Sequence, residues 1–316
     1  EQYERNIKAH PRDHRNYLRL GLLNARSKET LAAAVGQLKR AAPLADTIPE
    51  AWLEIARAYR RLGKHEEELN ALQVFVASDP QHPEANARIG ELMLAQGKTG
   101  EALERLESAN EATSDDPRIL VALARGYASS GRIGPAIEAL EKARRIRPDD
   151  GRIRRQLVDL YTRVGETKKV LEELEALIEI RRDNATLLRY ARLLYREERY
   201  DDARDAIEDI RATDPTDLDA LMLLGKVLRA QEEYEQAVDV YAEVVQIDPE
   251  YSPALYERAA THLQQGKIKW AEAFYQRTLR YDPGFALAEL GLARVAKLKK
   301  DHGAYDRHLQ KAYRMD

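Results

Sequence analysis

Few residues in this sequence have the type and spacing to do covalent or metal chemistry. GKT at 97–99 has the ending of a phosphate-binding loop, where glycine-flanked N–H groups and a lysine cradle phosphates. That loop needs a first glycine at position 92, which is Leu92, and the segment is a turn between helical stretches with no preceding strand. His10 and His14 stand four apart, as zinc-binding histidines on one helix face do, but Pro11 breaks the helix between them. His65 lacks a second histidine at HExxH spacing, and no G-x-S-x-G elbow occurs. With no cysteine, disulfides, thiolate zinc sites and cysteine nucleophiles are excluded. The expectation is a chain without catalysis, metal or cofactor of its own.

Charge is the remaining chemistry, and it recurs with a period. Arg57, Arg60, Arg125, Arg152, Arg155, Arg192, Lys226, Arg229, Arg294 and Lys297 fall at a few repeated places in a unit of about 34 residues. The acidic residues cluster elsewhere in the same unit: Glu66, Glu67 and Glu68; Glu101, Glu104 and Glu107; Glu172, Glu173, Glu175 and Glu179; Asp201, Asp202, Asp205, Glu208 and Asp209. Net charge is only −3, so any electrostatic preference is local, one face against another.

The elements that carry these charges follow from the period itself. If Asp-Pro is set at places 31 and 32, a small or branched residue falls at place 8 in Gly21, Ala56, Gly90, Ala124, Val158, Ala191, Gly225, Ala259 and Ala293, at steps of 33 to 35 residues. Place 20 holds Ala34, Ala102, Ala136, Ala203, Ala237 and Ala271, and between the two lies a turn with Gly63, Gly97, Gly131, Gly165 or Gly266. Small residues at places 8 and 20 let two antiparallel helices approach, and large ones such as Ile55, Tyr59 and Leu72, or Leu123, Tyr127 and Leu140, fill the space around the contact. Pro80, Pro148, Pro215, Pro249 and Pro283 stop the second helix. Departures are Glu68 at a place 20, Glu198 and Glu232 at turn glycines, and Tyr305 in the last unit. The fifth unit, with Val158, Val170 and Arg182 at key places, is expected to be the irregular one.

These nine registers resemble the tetratricopeptide repeat (TPR) family across the whole chain. The resemblance implies an all-α fold, a right-handed superhelical α-solenoid of helix-turn-helix repeats. The repeats are expected at about 14–48, 49–82, 83–116, 117–150, 151–183, 184–217, 218–251, 252–285 and 286–316. Residues 1–13 read as the second helix of a truncated preceding repeat, and the chain as a piece of a longer protein. In this family first helices line the concave side, so the resemblance places the ten basic residues in the groove. It implies a non-enzymatic scaffold holding an extended or helical acidic segment of another protein.

Other partners fit less well. The chaperone-carboxylate clamp of many relatives needs lysine and asparagine at places 5 and 9, and place 5 here reads Leu18, Leu53, Ala87, Val121, Arg155, Leu188, Met222, Tyr256 and Leu290. Clamp-type binding is therefore not expected. Single-stranded nucleic acid, as in the related pentatricopeptide arrays, is disfavoured by the apolar place 5 and the net charge. Apolar runs as short as Leu31–Val35 span no membrane. An alternative role is a periplasmic assembly domain of a bacterial secretion or cell-envelope apparatus, and localisation stays open between cytoplasm and periplasm.

Overall fold

The computed structural model describes residues 2–25, 27, 29–41, 50–113 and 115–315, and among them finds nineteen α-helices and no strand. A first helix, α1 (Gln2–Ala9), packs on α2 (His14–Asn24). Helix-turn-helix pairs follow in chain order. They are α2 with α3 (Leu31–Ala41), α4 (Glu50–Arg61) with α5 (His65–Ser78), α6 (Pro83–Ala95) with α7 (Thr99–Thr113), and α8 (Pro117–Ser129) with α9 (Ile133–Ile146). Next come α10 (Gly151–Val164) and α11 (Thr167–Ile180). The last pairs are α12 (Asn184–Arg196) with α13 (Tyr200–Thr213), α14 (Leu218–Ala230) with α15 (Tyr234–Ile247), α16 (Ser252–Gln264) with α17 (Ile268–Tyr281), and α18 (Ala286–Leu298) with α19 (His302–Met315). The repeat boundary expected at 48–49 lies outside the described residues.

The chain divides into two compact units after Glu166, between α10 and α11. Within each, a second helix packs on its own first helix and on the first helix of the next repeat. Each unit is thus a row of helical repeats, the all-α architecture expected from the small-residue period.

The contacts at those small residues are specific. A Cβ at Gly21 would stand 2.7 Å from Leu38, one at Gly90 2.6 Å from Leu106, and one at Gly225 2.4 Å from the ring of Tyr241. The missing side chain at place 8 is therefore filled by the large residue at place 24 of the second helix. The place-20 alanines Ala34, Ala102, Ala136, Ala203, Ala237 and Ala271 are all wholly buried. Each fully buried Leu or Ile beside them contributes about 1.5–3 kcal/mol by removal from water.

Helix starts and stops are local. Asp13, Asp116, Asp150, Asp183 and Asp217 each cap a first helix, accepting a hydrogen bond from a backbone N–H of its first turn. Gly63, Gly97, Gly131, Gly165 and Gly266 adopt φ between 70° and 79°, the left-handed geometry that closes the tight turn. Glu198 and Glu232 are forced into the same geometry at φ 59° and 63°, and Lys300 joins them in the last turn at 60°.

Glu68 has an unexpected role. It is buried to 1% exposure yet accepts two hydrogen bonds from the guanidinium of Arg88, at 2.6 and 2.9 Å. Arg88 also reaches Glu91 at 2.7 Å. These contacts, the bond to Glu68 first among them, hold Arg88 more firmly protonated than a free arginine. A repeat contact made elsewhere by a small residue is here made by a buried ion pair.

Candidate functional site

In the first unit three clefts follow one another along the first helices. The first, about 350 Å³, lies beside α4 and is lined by Glu54, Arg57, Arg60 and Glu84. The second, about 310 Å³, shares Arg60 and Glu84 with it and adds Arg88, Glu91, Asp116 and Arg118 of α6, α8 and their caps. The third, about 220 Å³, shares Glu91 and Arg118 with the second and adds Val121, Arg125, Arg147, Asp150 and Arg152. Because neighbouring clefts share walls, they form one groove running from α4 to α10.

The groove brings together four of the expected basic residues, Arg57, Arg60, Arg125 and Arg152. Arg155, also on α10, is exposed and donates from Nε to the Gly151 carbonyl at 3.1 Å. Four groove arginines were not foreseen: Arg61, Arg88, Arg118 and Arg147. Arg118 stands at place 2, as Arg152 does, so that signal was present in the sequence.

The structure also shows which of these cations are already engaged. Arg57 bonds Glu54 at 2.6 Å and Glu84 at 2.8 Å. Arg118 bonds Asp116 at 2.8 Å, and this hydrogen bond holds the Asp116 carboxyl below the usual range. Arg152 reaches Asp150 at 3.4 Å; burial alone would raise the Asp150 carboxyl, and the bonds from Arg152 outweigh it. Among the described residues, Arg60, Arg125 and Arg147 make no ion pair, although the Arg147 charge helps to hold the Asp116 carboxyl low.

A periodic rule accounts for the difference. The place-9 residue of one repeat meets the place-2 residue of the next, 27 positions on. Arg57 finds Glu84 there, whereas Arg125 finds Arg152. Like charge at that position leaves Arg125 available to an outside anion.

In the second unit the same rule pairs Arg192 with Asp219 at 2.8 Å. Arg229 and Lys226 both face Glu257, at 2.5 and 3.9 Å. Burial works against the Arg229 charge, but Glu257 more than compensates and raises its pKa. Arg229 is 23% exposed and Glu257 14%, so this pair belongs to the packing of α14 on α16. Arg294 and Lys297 are exposed on α18 and have no ion pair among the described residues.

The acidic second helices are also partly structural. Glu107 accepts from the Tyr127 hydroxyl at 2.9 Å, and Glu175 from Tyr190 at 2.6 Å. Burial and then Glu175 push the Tyr190 phenol up to about 12. A cleft of about 330 Å³ beside Tyr190 is lined by Glu175, Glu179, Asp202, Asp205 and Asp209, with Arg182 paired to Asp209. Among the described residues, no group of three or more His, Cys, Asp or Glu is placed to hold a metal ion, and no helix is long and apolar enough to cross a membrane.

Comparison with known proteins agrees with the helical pattern. Residues 1–193 match the family described as the cilia and flagella-associated protein 70 C-terminal domain, and residues 188–252 and 228–295 match two tetratricopeptide repeat families. No curated protein matches the chain. Among solved structures, the C-terminal part of a TPR repeat-containing protein from Cytophaga hutchinsonii is 16% identical with a TM-score of 0.57, covering 73% of this chain and 95% of that one. MamA from Desulfovibrio magneticus RS-1 is 19% identical with a TM-score of 0.47, covering 52% and 94%. YrrB, described as a TPR protein with an unusual peptide-binding site, is 16% identical with a TM-score of 0.48, covering 59% and 96%.

Proposed function

The chain belongs to the tetratricopeptide repeat family, and over residues 1–193 to the family of the cilia and flagella-associated protein 70 C-terminal domain; on that premise we propose that it is a non-enzymatic protein-interaction scaffold. Its first unit takes an extended acidic segment of a partner protein along the groove from α4 to α10. The observation that carries this reading is the set of arginines in that groove. Arg60 and Arg125 make no ion pair among the described residues, Arg147 meets Asp116 only through a charge–charge attraction without an ion pair, and Arg57 sits in a pair whose side chains are 45% and 48% exposed. An exposed pair is worth about 0–1 kcal/mol, so a ligand carboxylate can replace Glu84 on Arg57 at little cost. Several such contacts in succession give affinity that no single one supplies, and that salt weakens.

The test uses a fluorescein-labelled peptide of alternating glutamate and leucine, with its lysine counterpart as control. Binding of the glutamate peptide should weaken at least about tenfold on Arg60→Glu/Arg125→Glu/Arg147→Glu, with the helical circular-dichroism signal unchanged. An Arg192→Glu/Lys226→Glu variant should bind as the wild type does. If the triple variant is folded and binds with unchanged affinity and salt dependence, the groove is not the site. Preference for a single-stranded RNA of equal charge over the peptide would move the reading to nucleic acid.

A further inference from the structure

Helix α17 departs from the acidic second helices α5, α7, α11, α13 and α15. Its sequence IKWAEAFYQRTLRY carries Lys269, Arg277 and Arg280 against a single acid, Glu272, which Lys299 already holds at 2.5 Å. Beside these cations lies an aromatic tier. Trp270 is 60% exposed and stacks on Phe274 at 6.3 Å, and the His262 ring of α16 lies 5.6 Å from Phe274 and 6.0 Å from Trp270. The Arg258 guanidinium covers the Phe274 ring at 4.4 Å, and its Nε is buried with no hydrogen-bond partner. Further along, Arg277 lies 5.8 Å from the ring of Tyr281, itself 43% exposed.

We propose that this surface on α16 and α17 is a second docking site, for an acidic segment of a protein partner that lays an aromatic or large apolar side chain on Trp270 while its carboxylates meet Arg258, Arg277 and Lys269. Buried polar groups in finished structures are hydrogen-bonded, so the Arg258 Nε lacks an acceptor. A carboxylate is the geometric complement of a guanidinium fork, and here the ring beneath Arg258 fixes the fork in place. Desolvation lowers the Arg258 pKa, with Asp239 opposing the fall and Arg277 adding to it, as expected of a cation short of a counter-ion. Tryptophan and arginine are also the residues that contribute most to protein interfaces when a partner covers them. A protein segment fits better than an anionic membrane, because a flat surface pressed on α16 and α17 would also meet Glu235, 2.6 Å from Lys267, and Asp239, whose charge acts on Arg258.

Trp52 and Trp270 are the only tryptophans, so Trp52→Phe leaves Trp270 as the sole indole reporter. Titration with a peptide of four Glu-Glu-Phe repeats should shift Trp270 emission saturably. Lys269→Glu/Arg277→Glu, both at the surface of α17, should weaken that binding at least about tenfold with the fold retained by circular dichroism. The groove variant Arg60→Glu/Arg125→Glu/Arg147→Glu should leave the titration unchanged, which separates this site from the groove. An unshifted emission, an equal response to Glu-Glu-Gly repeats, or insensitivity to the α17 reversals would overturn the proposal. So would an emission shift with phosphatidylserine vesicles and none with the peptide.

Discussion

Replacing Gly225 by alanine should destabilise the second unit, although alanine is the better helix former. The added methyl would stand 2.4 Å from Cε1 and 2.5 Å from Cζ of Tyr241. Carbon atoms in contact prefer about 3.5–4.0 Å, so the ring must retreat by about 1 Å. Tyr241 is fully buried and has no free space into which to move. Overpacking of this kind costs about 1–3 kcal/mol, and the helix preference of alanine returns about 1 kcal/mol, for a net loss of up to about 2 kcal/mol. Gly36 supplies the internal control: it is exposed in the interior of α3, and a Cβ there meets nothing within 4 Å. Gly36→Ala should therefore stabilise by about 0.5–1 kcal/mol. Urea unfolding followed by circular dichroism reads the opposite signs. Amide exchange should show the loss confined to α14, α15 and their neighbours, since repeats contact mainly adjacent repeats. Equal stabilisation by the two substitutions would refute the place-8 packing scheme.

Glu232→Gly should stabilise by about 0.5–1 kcal/mol, because a left-handed residue with a Cβ costs about 1–2 kcal/mol and glycine returns part of the relief as unfolded-state entropy. Glu232→Ala, which keeps the Cβ, should give no such gain in the same unfolding assay. Glu68→Ala should cost about 3 kcal/mol by stranding Arg88, and a second change, Arg88→Met, should recover most of it in a thermal or denaturant melt. Arg192→Ala, which breaks an exposed pair, should cost less than about 1 kcal/mol by the same measurement.

The repeat could be read because its signals are short-range. Small residues at places 8 and 20, glycine in the turn and Asp before the next first helix each act on their own few neighbours, and each recurs often enough to outweigh local exceptions. Glu198 and Glu232 show this: the chain adopts the glycine geometry at both although neither residue favours it. Which cations face solvent alone was harder to read, because it depends on pairs of residues in different repeats. Arg57 and Arg125 occupy the same place, but Arg57 has Glu54 three positions before it and Glu84 27 positions later, where Arg125 has Ala122 and Arg152. Arg147 lies in an interhelix loop, and its approach to the groove depends on how two repeats stack. The site on α16 and α17 was hidden for another reason. Its residues come from two helix faces, and taking second helices as acidic in general passed over the basic ones, α17 among them.

The 27-residue pairing also restricts how this array can be rearranged. The pair α6 and α7 offers Glu84 to the arginine before it and Glu91 toward Arg118 after it, so it is acidic at both junctions. The following repeat offers Arg118 and Arg125. Deleting residues 83–116 would splice two good helical repeats together and set Arg57 against Arg118, with Glu68 buried and no Arg88 to meet it. Repeat proteins are often treated as interchangeable modules, but here polarity at the junctions gives each module an address. Loss or duplication of one repeat by recombination would leave the hydrophobic spacing intact and still produce a seam of mismatched charge.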